Sequence, residues 1–194
     1  MKKILLILIS IIAISCKSQT ISLEEAAQCL TNPNCPDFNY EKDINNSLDK
    51  YVGTWKGTYN GKVYELKFNK NLYTSFDLEM KRDRIKGRLR ITTDVPNGLQ
   101  GLTIFDNFNE PDDEKTRFSG LGFQPNLQSY MVNFVGPSPQ GCINYGTVYL
   151  TVKPNTPNQM KIIYASDHDI VVGGCPSTFE QTFPEKKTII LTKQ

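Results

Sequence analysis

Few side chains in this sequence have both the type and the spacing for chemistry. The single histidine, His168, stands between Asp167 and Asp169. A carboxylate beside an imidazole can raise its pKa and orient it as a base. Hydrolysis needs a third, nucleophilic group, and neighbours on a strand point to opposite faces. A solvated turn is therefore the expectation, and a hydrolase the weakest of three functional readings. Asp106, Glu110, Asp112, Asp113 and Glu114 crowd around Pro111. Such hard oxygen ligands suit calcium, but the EF-hand spacing and its central glycine are missing, so a hydrated acidic loop is expected. Arg84, Lys86, Arg88 and Arg90 alternate, with Lys81 and Arg82 just before them. On a strand they line one outer face. That face suits a phosphate-rich or sulfated polymer or, more simply, keeps the strand soluble, with the acidic loop as a possible neutralising partner. No Gly-rich phosphate loop, paired-histidine metal motif or G-x-S-x-G elbow occurs, and no metal or cofactor is implied.

The cysteines say more. Lys2 and Lys3 precede an apolar run to Ser15, too short for a stable membrane span, and Cys16 follows. Ala13-Ile14-Ser15-Cys16 resembles a bacterial lipobox, with Ala13 where leucine is usual, so residues 1–15 read as a lipoprotein signal peptide and Cys16 as the acylated first residue. Plain cleavage without lipid is the alternative. Lys17 lacks the acidity that retains some lipoproteins at the inner membrane, and resemblance to other exported lipoproteins implies the outer membrane, facing the periplasm or the surface. With Cys16 acylated, Cys29, Cys35, Cys142 and Cys175 remain, an even number in an exported chain. Of three connectivities, Cys29 with Cys35 and Cys142 with Cys175 keeps each bond local.

The whole chain has 22 Lys plus Arg and 20 Asp plus Glu, and without Lys2 and Lys3 the mature chain carries 20 of each. That balance argues against a nucleic-acid partner. Residues 16–48 read as a lipidated tether and short helical segment: Ser22 and Glu25 form a capping box, Leu23, Ala26, Ala27 and Leu30 follow at helical spacing, and Asp43 to Lys50 suits a further helical turn with Ile44 and Leu48 on one side. Residues 49–194 read as one antiparallel β domain. Asn60-Gly61 specifies a type I′ hairpin that pairs Tyr59 with Lys62, Gly57 with Tyr64, Trp55 with Leu66 and Lys56 with Glu65. Trp55, Tyr64, Leu66 and Phe68 then share the buried face. Further strands are expected around Thr74–Met80, Ile85–Ile91, Phe118–Phe123, Ser129–Val135, Gly146–Lys153, Gln159–Ser166 and Lys187–Thr192, eight to ten in all with shorter pieces.

Two resemblances follow. The lipobox with Cys16-Lys17-Ser18-Gln19, the segment Asp49 to Lys56 and the closing Thr182 to Gln194 resemble a family of small exported flavobacterial lipoproteins whose domain has no assigned function. Tyr51-Val52-Gly53-Thr54-Trp55-Lys56 resembles the first strand of lipocalins and fatty-acid-binding proteins, where the tryptophan packs at the closed end of the barrel. That resemblance implies a mainly β fold: an antiparallel lipocalin-like (calycin-like) barrel or a closely related β-sandwich, with a short N-terminal helix. The arginine that stacks on the tryptophan in lipocalins, and the Arg-x-Tyr of the fatty-acid-binding group, have no counterpart in the last strand. The expected role is a non-enzymatic, membrane-anchored domain that binds a small apolar ligand or an envelope protein, with Trp55, Tyr64, Leu66, Phe68, Leu89 and Ile91 lining or capping the cavity. The alternative is an interaction module with a filled core.

Overall fold

The computed structural model describes residues 19–75, 77–95, 101–111, 116–169 and 172–194. In chain order its elements are β1 (Thr20–Ser22), α1 (Leu23–Cys29), β2 (Tyr40–Lys42), β3 (Gly53–Tyr59), β4 (Lys62–Ser75), β5 (Met80–Thr93), β6 (Thr103–Asp106), β7 (Phe118–Phe123), β8 (Tyr130–Val135), β9 (Tyr145–Val152), β10 (Gln159–Ser166) and β11 (Thr188–Lys193). Eight strands close an antiparallel up-and-down barrel in the order β3-β4-β5-β7-β8-β9-β10-β11, and β11 returns to β3. This is the lipocalin-like barrel expected, and the sandwich is set aside. Closure leaves no free edge around the ring.

The β3–β4 hairpin has the register that Asn60-Gly61 demands. All four predicted pairs form, and both turn residues hold positive φ, 48° and 71°. Ser22 caps α1 through the predicted box: its hydroxyl accepts from the Glu25 amide, and the Glu25 carboxylate accepts from the Ser22 amide. Residues 43–51 form turns that cover the end of the barrel where the chain enters β3, with Leu48 and Tyr51 buried beneath them. Ile44 does not join Leu48 as expected. Turns rather than a helix carry it outward, 54% exposed.

The strand expected at Thr74–Met80 is instead the tip of a long hairpin. β4 and β5 pair continuously from Lys62 with Thr93 to Ser75 with Met80, and Glu79 turns the chain with φ 49°. β5 then shares its other edge among three partners: β2 at Lys81 and Arg82, β7 at Lys86 and Gly87, and β6 at Arg90 to Thr92. Between the last two, Asn107 substitutes for a strand. Its side-chain oxygen accepts from the Leu89 amide at 2.7 Å, and its amide donates to the Leu89 carbonyl at 3.0 Å. β1 and β2 are parallel additions to the sheet, so residues that read as tether and loop are paired. Both expected disulfides are present, Cys29–Cys35 and Cys142–Cys175.

Candidate functional site

The lumen is the first place to look for a ligand site. Trp55, Tyr64, Leu66, Phe68, Leu89 and Ile91 all point into it, none more than 2% exposed, and they belong to one continuous core with Val132, Phe134, Leu150, Ile162 and Leu191 from the opposite wall. Trp55 anchors the covered end: its indole N–H donates to the Tyr51 carbonyl at 2.7 Å. Lys193, paired with Trp55 across the seam between β11 and β3, sets its ammonium 5.3 Å from the indole centre. The last strand does supply a cation over the tryptophan, but as lysine rather than the arginine sought in the sequence.

The opposite end is closed by a residue the sequence did not single out. Phe183 is fully buried, and its ring centre lies 5.5 Å from Tyr64, 6.0 Å from Phe118, 4.9 Å from Phe134 and 6.0 Å from Tyr164. It comes from no strand. The loop after β10 brings it in, and Cys142–Cys175 ties that loop to the one before β9. Asn144, itself buried, fastens the segment: its amide donates to the Thr182 hydroxyl at 2.8 Å and the Pro137 carbonyl at 2.6 Å, and its oxygen accepts from the Thr182 amide at 2.9 Å. Burial at this end pushes the phenols of Tyr64 and Tyr164 up to about 12. The only cue in the sequence is a pair of phenylalanines, Phe179 and Phe183, amid Pro176, Pro184 and polar neighbours, with nothing to show which is buried.

Outside the barrel, the largest of the clefts described, about 620 Å³, lies over β3, β4 and β5 beside β6. A charge ladder crosses its floor. Lys56 pairs with Glu65 at 3.4 Å, Glu65 with Arg90 at 3.3 Å, and Arg90 with Asp106 at 2.9 Å. Both cations are thus matched within the protein, and with Asp94 the lining carries three carboxylates against two cations, so the cleft holds no free positive charge for an anionic ligand.

The predicted basic stripe does lie on the outer face of β5, yet it is not open to a polymer. Lys86 and Arg88 are buried, and Arg88 donates to the Glu110 carbonyl at 2.9 Å. From the predicted acidic loop, Asp106 gives Arg90 its counter-charge and Glu110 gives Arg88 a backbone carbonyl; Asp112, Asp113 and Glu114 lie outside the described residues. Arg82 leaves the stripe to pair with Glu41 of β2, and Arg84 lies over the Tyr73 ring. His168 is exposed beyond β10, where the ordered bond is from the Tyr145 hydroxyl to Asp169 at 2.7 Å. Among the described residues no three metal-binding side chains converge. Cys16 and the expected signal peptide, residues 1–15, lie outside the described residues.

A family model matches residues 1–116, from the start of the sequence through β6 and on to just before β7. The chain belongs to a family of unknown function (DUF6705). Comparison with curated proteins and with solved structures gave no match. This member of the family therefore offers its geometry, and not a relative's activity, as the guide to what it does.

Proposed function

We propose that the protein is an outer-membrane lipoprotein, acylated at Cys16, whose barrel is a non-enzymatic interaction module with a filled core. The observation that carries the second half is Phe183, which occupies the end of the lumen where a ligand would enter. Recognition then falls to the outside of the barrel. The first half rests on the lipobox residues Ala13 to Cys16 and on the even number of cysteines that remain. A carrier role is the second reading, favoured by the closed barrel itself, and it requires the Thr182–Pro184 segment to swing out. Native mass spectrometry and Trp55 fluorescence with fatty acids, sterols and haem decide between them. The filled module gives no complex and no spectral change; a bound ligand overturns it. Separately, Cys16→Ser should abolish lipid labelling and release the protein from the membrane fraction, and unchanged fractionation would overturn the anchor.

A further inference from the structure

The β4–β5 hairpin runs on past the barrel. Phe68 pairs with Gly53, the first residue of β3, and β4 continues from Asn69 to Ser75. At about 3.3 Å per residue, the tip stands roughly 20 Å beyond Gly53. Apolar side chains are bare there: Leu72 is 53% exposed, Leu78 is 74% exposed, and Tyr73 is exposed as well. Leu121, whose carbonyl accepts from Arg82 close to the tip, adds to the same end of the molecule.

The N-terminal chain leaves at this place. Thr20 pairs with Tyr40, and Tyr40 pairs with Lys81, the residue after Met80 at the tip. β1, β2 and β5 are mutually parallel and run from the tip toward the barrel. The described chain therefore enters β1 from the tip side. Only Lys17, Ser18 and Gln19 separate Cys16 from Thr20. Four Cα steps span at most about 14 Å. That tether is shorter than the hairpin's own projection, so an acyl anchor on Cys16 brings the tip to the bilayer.

We propose that the β4–β5 tip is a foot seated in the lipid surface that holds the anchor, an inference that rests on the acylation of Cys16 proposed above. Asp77 and Glu79 flank Leu78, and Lys81 follows, so the tip has no basic excess. Its partner is the acyl boundary of the bilayer rather than an anionic headgroup. Seating it there covers an apolar tip that in water would be an association hazard. It also fixes orientation: the covered end of the barrel faces the membrane, and the Phe183 end faces away.

The test places a polarity-sensitive fluorophore on Leu78→Cys, with Val135→Cys at the far end of β8 as reference. Each variant is used as mature, lipidated protein in phosphatidylethanolamine–phosphatidylcholine vesicles, with and without brominated acyl chains. At position 78 the emission should shift to the blue and lose roughly half its intensity to brominated lipid, as for a group about 5–10 Å inside the headgroup boundary. At position 135 neither change is expected. A blue shift without bromine quenching would mean that protein, such as a second copy of the chain, covers the tip, and the foot is wrong. Water-like emission at 78 in protein whose Cys16 peptide carries lipid by mass spectrometry also overturns the foot while leaving the anchor intact. A Cys16 peptide without lipid removes both.

Discussion

Phe183→Ala tests whether one aromatic ring closes the barrel. The ring is fully buried, and four others surround it at centre distances of 4.9 to 6.0 Å. Truncating a buried phenylalanine costs about 3–5 kcal/mol, with the spread set by how far the site collapses around the gap. Collapse is restricted here. Tyr64, Phe118, Phe134 and Tyr164 sit on β4, β7, β8 and β10, strands held by paired neighbours within a closed ring. The upper part of that range is therefore expected, a large share of the roughly 5–15 kcal/mol that typically separates folded from unfolded chains. Urea unfolding followed through Trp55 measures it, as a lower midpoint with an unchanged slope. The gap is lined by rings, so it should take benzene, as dry apolar cavities do. At a hundred times its dissociation constant benzene would restore about 2.7 kcal/mol to the variant and nothing to the parent. A loss below about 1 kcal/mol, or equal stabilisation of both proteins by benzene, would refute the plug.

Two other perturbations probe the same packing. A Cβ on Gly57 would lie 2.1 Å from the Ile190 carbonyl oxygen, so Gly57→Ala must push β11 from β3 and should cost about 1–3 kcal/mol or more by overpacking; Gly174→Ala, with open space at its Cβ, should be near neutral in the same urea assay, and equal effects would be inconsistent with a tight seam. Burial raises the phenols of Tyr64 and Tyr164 to about 12 and those of Tyr51 and Tyr130 higher still. Folded values above the unfolded value near 10 mean that this contribution to stability is complete below about pH 10 and is lost as pH rises toward 12. Tyrosinate absorbance should therefore keep a late fraction that appears only with unfolding, and a titration complete near pH 10 would contradict the buried placement.

The parts of the fold that were legible in the sequence are those where one local signal dictates geometry. Asn60-Gly61 requires positive φ twice, and the register from Tyr59 with Lys62 to Trp55 with Leu66 follows from it. Ser22 and Glu25 fix the start of α1 in the same way. Parity and proximity selected the two disulfides. What was not legible depended on distant partners. β1 and β2 are three residues each, too short to show a period, and they exist because the edge of β5 was free to receive them. Alternation at Thr74, Phe76, Leu78 and Met80 looked like a strand of its own, since a pattern of polarity cannot say where a long hairpin turns back. Lys86 and Arg88 alternate as solvated cations should, yet both are buried, Lys86 where β5 pairs with β7 and Arg88 against the Glu110 carbonyl after β6. Phe183 carries no periodic signal because it lies in no regular element, and its role is set by the rings it meets.

An eight-stranded barrel encloses space just wide enough for side chains to fill it or for one small ligand. Side-chain size decides between these. At the covered end Tyr51, Trp55, Phe123 and Tyr130 meet, with Tyr130 5.7 Å from Tyr51 and 5.0 Å from Phe123. At the other end four rings meet around Phe183, and Leu66, Leu89, Leu150 and Leu191 lie in the same core. Inward-facing glycines do not reopen the space. A Cβ on Gly87 would fall 2.5 Å from the Phe68 ring, and the Ile190 backbone takes the corresponding position at Gly57. Each missing side chain makes room for a neighbour already in place, not for a guest. The barrel has thus been filled from both ends, and its Trp55, held by the Tyr51 carbonyl and covered by Lys193, works as a cornerstone of packing. On the interaction-module reading proposed above, selectivity comes from surfaces that packing leaves free: the paired charges from Lys56 to Asp106 and the apolar tip of the β4–β5 hairpin.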